Sequence, residues 1–254
     1  MLTVGGGLGW RAKTFFQVPP GPRGERSEGL SGNDQGQVAE RVYGVEVIDN
    51  DGVRLGIQAA HRLALADCCE IEPGLSEAEF RRIEAAFGIE FSADHRAFLA
   101  AGLPVAEPPE EGATWDQPWP NWRHGDHEDL RYRLEWPVQG VLNSVGNGWW
   151  EQVWGPRPAD DSAALQVAKQ ELAHVPQLVP VYAHRFVPAG GGAFGHPVLS
   201  IWGIDIICYG QDLADYIDHE FREADEDAPW SPQPTVAFWK DFICGGVVRQ
   251  PDAP

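Results

Sequence analysis

Apolar residues recur at helical spacing through much of the first half of this chain and alternate with polar ones more often in the second, and that change of period sets the predicted elements. Residues 42–48 read as a strand. The spacing predicts a helix over 56–67, with Ile57, Ala60 and Leu63 or Ala64 on one face. After Pro73, Ser76 and Glu79 have the separation of a capping box. Phe80, Ile83 and Phe87 then follow on one helical face, and Gly88 suits a left-handed C-terminus. A second helix starts at Ser92, turns Ala97, Phe98 and Ala101 inward, and stops at Gly102-Leu103-Pro104.

Prolines 108, 109, 118 and 120 mark 105–129 as loop. Leu130, Tyr132 and Leu134 alternate with Arg131, Arg133 and Glu135, the pattern of a half-buried strand. Residues 161–173 predict a helix with Leu165, Ala168 and Leu172 aligned. Residues 179–187 read as extended, and Val198–Trp202 and 204–209 as a strand pair linked at Gly203. Asp212 opens a helix with Leu213, Tyr216, Ile217 and Phe221 inward. A proline-bearing acidic link over 223–234 precedes a short strand at 236–242. Helices first and strands later favour an α+β domain, with a largely antiparallel or mixed sheet and helices packed on one side. Residues 1–36, rich in glycine and proline, read as a flexible tail ahead of a single domain over 37–254.

The chain has 254 residues, of which 43% are hydrophobic and 22% charged, so it has enough apolar residues for a sizeable core. Its 38 acidic residues outnumber 19 basic ones, for a formal charge of -19. That balance opposes nucleic acid and anionic membranes as partners and favours a cationic protein. No apolar run is long enough to span a bilayer and no secretory signal opens the chain, so a cytoplasmic location is expected. Four cysteines do not make a disulfide scaffold. Cys68 and Cys69 are adjacent, Cys208 and Cys244 have apolar neighbours, and reduced thiols are expected.

The segment His124-Gly125-Asp126-His127-Glu128-Asp129 has donors that suit zinc or manganese, with His124, Asp126 and His127 as ligands. The alternative is a solvated acidic loop, and no cofactor is expected. His184 falls between Tyr182 and Phe186 in the predicted strand. It is either a core histidine or one that lines a cleft with Asp205, near Ser200. The chain holds 11 tryptophans. Trp115, Trp119, Trp122, Trp136, Trp149, Trp150 and Trp154 either cover the sheet as a lid or form an exposed aromatic surface with Arg123 and Arg157 at its rim. Residues 212–227 are rich in carboxylates against one arginine, Arg222, and suit an electrostatic landing site. A partner surface is accordingly expected to draw on Trp122, Arg123, Trp149, Trp150, Trp154, Arg157, His184, Arg185, Asp205, Tyr209, Asp212 and Asp215.

The stretch Gly74-Leu75-Ser76-Glu77-Ala78-Glu79-Phe80, continued by Phe87-Gly88-Ile89-Glu90-Phe91 and Asp94-His95-Arg96-Ala97-Phe98-Leu99, resembles the opening helix pair of SUKH domains. Pro120-Asn121-Trp122-Arg123 and Trp154-Gly155-Pro156-Arg157-Pro158 are similar to tryptophan-bearing segments of actinobacterial members. Pro180-Val181-Tyr182-Ala183-His184-Arg185-Phe186, Gly195-His196-Pro197-Val198-Leu199-Ser200 and Asp205-Ile206-Ile207-Cys208-Tyr209-Gly210 are similar to their late strands. The resemblance covers roughly residues 72–223. The superfamily includes a yeast regulator of cell-wall synthesis and many bacterial immunity proteins of polymorphic toxin systems. The resemblance implies an α+β domain that binds protein and has no shared catalytic residues. A non-catalytic immunity protein that neutralises a cationic toxin is the sharper expectation. A metal-binding protein or hydrolase using 124–129, and a housekeeping regulatory scaffold, are the alternatives.

Overall fold

A computed structural model describes residues 51–105, 118–222, 230–233 and 235–245, with the side chains of 244 and 245 left out. The expected tail (1–36), the strand at 42–48, Trp115, the Cys244 side chain and most of the acidic link lie outside what is described.

The chain opens with α1 (Asp51–Ala66), then β1 (Glu70–Glu72), α2 (Glu77–Phe87), α3 (Ala93–Ala101) and β2 (Leu103–Val105). The capping box at α2 is complete: Ser76 accepts from the Glu79 amide while the Glu79 carboxylate accepts from the Ser76 amide, and Gly88 takes φ +65°. Phe80 and Ile83 face the core. Helix α1 starts earlier than its spacing predicted, and its buried stripe is Gly52, Gly56, Ala59 and Leu63, with Ile57 exposed. Two glycines set that face, because a Cβ on Gly56 would stand 2.1 Å from the Asp94 carbonyl oxygen of α3. In α3 the inward residues are Asp94, His95, Phe98 and Leu99, while Ala101 is exposed.

The predicted strand at 130–135 is instead part of α4 (His127–Gly146). Asp126 caps it by accepting from the amides of Glu128 and Asp129. Leu130, Pro137, Val141 and Val145 then recur at helical spacing on the buried side. A 3-10 turn (Gln152–Trp154) and α5 (Asp161–Leu172) follow. Ala164, Ala168 and Leu172 form the buried stripe of α5, with Leu165 at its margin.

Strands β3 (Leu178–Tyr182), β4 (Arg185–Pro188), β5 (Val198–Trp202) and β6 (Asp205–Gly210) pair in sequence order as an antiparallel meander. The α+β class is therefore the one the residue pattern implied. The predicted extended segment at 179–187 is a hairpin, broken where Ala183 takes φ +46°. Helices α6 (Leu213–Phe221) and α7 (Trp239–Gly245) close the described chain, and α7 replaces the strand expected at 236–242.

Helices cover both faces of this sheet, not one. Val179, Val181, Val187 and Val198 pack in one cluster with Leu213, Tyr216 and Ile217 of α6 and the apolar faces of α1 to α3. Phe186, Leu199, Ile201 and Ile206 pack in a second cluster with α4, α5 and Trp239 of α7. Alternation along the strands feeds both clusters, which is why the sheet carries so few polar positions.

Candidate functional site

Where helix cover ends, the sheet exposes a polar and aromatic corner. It lies at the two turns, Ala183-His184 and Gly203-Ile204. Register places Arg185 opposite Ser200 and Ser200 opposite Ile207, so these residues share one face. Arg185 is buried. Its Nη1 donates to Ser200 Oγ at 3.0 Å, and its Cζ stands 3.8 Å over the Tyr209 ring. Its Nε lies 3.3 Å from Glu220 Oε2 of α6, an ion pair without hydrogen-bond alignment. The His184 ring nitrogen Nε2 also meets Arg185 Nη1.

Burial and the adjacent guanidinium hold the His184 pKa below the usual value. Its Nδ1 has no hydrogen-bond partner among the described residues, so the expected His184–Asp205 pair is not formed. His184 is a turn residue rather than a mid-strand one, and its ring meets Trp202 edge-on at 5.8 Å. Burial, reinforced by the Glu220 carboxylate, raises the pKa values of Tyr182 and Tyr216. Ser200 accepts from an arginine, an arrangement that does nothing to activate it as a nucleophile.

Outside this polar core lie rings open to solvent. Trp202 is 55% exposed, Ile207 50% and Tyr132 54%. Trp136 joins them, 5.4 Å from Trp202 and 5.7 Å from Tyr132, with its Nε1 donating to the Ile201 carbonyl. The corner is held against α4 by two glycines: a Cβ on Gly140 would stand 3.0 Å from the Gly203 Cα. Asp205 pairs with Trp202 in the register and is exposed. Glu128 and Glu135 are exposed on α4, four and three residues from Tyr132. Arg131 is directed to the Phe87 ring, 5.9 Å away.

The other expected contact residues are spent on structure. Trp122 is buried beside Phe91, with ring centres 5.2 Å apart. Arg123 bonds to Glu72, Glu79 and the carbonyls of Pro73 and Gly74. Trp149, Trp150 and Trp154 pack on one another, and Phe238 and Phe242 of the α7 segment complete the stack. That is the lid arrangement. Arg157 bonds to Asp161 and to the carbonyls of Val145 and Pro158. Asp212 caps α6, and Asp215 accepts from the Gln211 amide. Asp126 caps α4, His127 stacks on Phe87 at 4.6 Å and His124 is exposed. Among the described residues, no three His, Cys, Asp or Glu side chains come together as a metal cluster. Among them too, no helix is long and apolar enough to cross a membrane.

Sequence reasoning thus selected His184, Arg185, Asp205 and Tyr209, which the fold does bring to one corner. It missed Trp202, Ile207, Tyr132 and Glu220 as parts of the same place. Alternation from the buried pair Leu199 and Ile201 was the signal that sends Ser200 and Trp202 to the opposite face. No protein-family model matches the chain, nor does any curated protein or solved structure.

Proposed function

We propose that this protein is a non-catalytic protein-binding domain of SUKH type, and that it docks a cationic partner on the aromatic corner of its sheet. The carrying observation is that Trp202 and Ile207, on the same face of the paired strands β5 and β6, are half-exposed on a sheet whose remaining apolar residues are largely covered. Large apolar side chains rimmed by carboxylates match the make-up of interaction surfaces, where aromatic anchors carry most of the affinity. Asp205, Glu128 and Glu135 would steer a basic partner and discriminate against acidic ones. The helix pair α2–α3 with its capping box at Ser76, the antiparallel late strands and the net charge of -19 support the SUKH reading and, within it, neutralisation of a basic toxin.

The test is a pull-down from the source cells with full-length protein and with Trp202→Ala/Ile207→Ser, at low and high salt. A basic protein retained by the unmodified chain at low salt, and lost both on substitution and at high salt, is the expected result. A partner held equally by both forms overturns the docking face. One held equally at both salt levels overturns the electrostatic part.

A further inference from the structure

The sheet face that holds Arg185 already carries one guanidinium stacked on a ring with an acid beside it. Arg185 Cζ stands 3.8 Å over Tyr209, and its Nε lies 3.3 Å from Glu220 Oε2. Trp202 and Asp205 repeat that pairing of ring and carboxylate at the turn between β5 and β6. They are register partners, which sets their Cβ atoms about 4.5–5.5 Å apart on one face. Asp205 is exposed and Trp202 half-exposed. Two rings steady the indole: His184 meets it edge-on at 5.8 Å, and Trp136 lies 5.4 Å away with a 60° tilt. The arginines of α4 and β4 are engaged elsewhere. Arg185 sits on Tyr209, Arg131 is directed to Phe87, and Arg133 is buried and bonded to Asp129. Among the described residues no cation pairs with Asp205, nor with Glu135, the residue before Trp136 on α4.

We propose that the partner's anchor on this corner is an arginine side chain, its guanidinium stacked on Trp202 and paired with Asp205, and that lysine is a poor substitute for it. This anchor presupposes the docking face proposed above and names what that face selects. A guanidinium is flat and weakly hydrated, so it lies on an indole while its edge N–H groups donate in pairs to a carboxylate. An ammonium is compact, holds its water more strongly and covers less of the ring. Of the aromatic side chains, tryptophan attracts a cation over its face most strongly. The arrangement is that of Arg185, Tyr209 and Glu220, with the cation supplied by another molecule. Ile207, half-exposed on the same face as Asp205, offers apolar surface to the methylene stem of the arginine. The net charge of -19 draws any basic chain, and the ring then discriminates among them.

Hexa-arginine and hexa-lysine carry equal charge, so they separate recognition by the ring from attraction to an acidic chain. Calorimetric titration of the full-length protein at low salt should give the arginine peptide about two- to fivefold tighter binding, the size of an exposed cation–π contact. Trp202→Leu should bring the two peptides to equal affinity while leaving the lysine peptide nearly unchanged. Asp205→Asn should weaken the arginine peptide more than the lysine one. The Trp202 indole N–H resonance, identified by its loss in Trp202→Leu, should move further with the arginine peptide. Urea melts show that both variants stay folded. Equal affinities for the unmodified protein, or an arginine preference that survives Trp202→Leu, would overturn the proposal. Equal affinities that Trp202→Ala/Ile207→Ser weakens together sink the arginine anchor alone. Affinities that this double variant leaves untouched for both peptides sink the docking face with it.

Discussion

Arg123 and Glu79, 44 positions apart, meet in a 2.6 Å hydrogen bond between Nε and Oε1. The same carboxylate closes the capping box of α2 through its other oxygen. One side chain therefore fastens the start of a helix to the loop that follows β2. The Arg123 guanidinium, then Ser76, draw the Glu79 pKa from 4.5 to about 2. A carboxyl whose pKa is depressed on folding contributes stability above its unfolded value and loses it as pH falls through the folded one. Urea melts are expected to show this loss between pH 4.5 and 2. Arg123→Ala should remove most of that pH dependence, and an unchanged acid profile would show that the clamp is not formed in solution.

His95 acts over a different window. It is fully buried, its ring lies 5.3 Å from that of Phe91, and burial takes its pKa from 6.5 to about 3. The folded state resists protonation, so stability is full above pH 6.5 and falls as the pH drops toward 3. The slope is up to about 1.4 kcal/mol for each pH unit. His184, also lowered, adds a smaller part. His95→Leu should remove most of the slope between pH 6 and 4 whatever it does to absolute stability, as read from urea midpoints.

Arg185 and Glu220 test the polar core of the corner. Arg185→Met leaves the Glu220 carboxylate, 19% exposed, without its cation. The expected cost is about 2–3 kcal/mol, the low end of what breaking a buried pair entails, because water still reaches the acid. Arg185→Met/Glu220→Gln should recover part of it. If the double variant is as unstable as the single one, the loss comes from Arg185's packing on Tyr209.

Gly56 sets how closely α1 approaches α3. Gly56→Ala adds a methyl group 2.1 Å from the Asp94 carbonyl, so the helix must shift. About 2–3 kcal/mol of destabilisation is expected in thermal or urea unfolding. A neutral result would mean that α1 packs elsewhere.

Helix α2 was legible because all its signals are local: Ser76, Glu79 and Gly88 sit at fixed offsets. Helix α4 was not. Its cap, Asp126, sits in a stretch that prolines marked as loop. The first residues alternate like a strand, yet Leu130 and Leu134 also fit a helix. Pro137 then withholds the amide that the Arg133 carbonyl would accept. The 236–242 run, short and apolar, suits strand and helix alike, and only packing against Trp149 and Trp154 decides it. The β3–β4 turn has no glycine, since Ala183 itself takes the left-handed conformation. Glu220 read as one surface acid among many, because its partner Arg185 is reachable only once the sheet has formed.

The corner stands on a helix and paired strands, with Trp136 tied to the Ile201 carbonyl and Gly140 against Gly203. A surface so braced is preorganised. An incoming molecule would meet rings already in position, so little ordering entropy is lost on this side of the encounter and most of the adaptation falls to the newcomer.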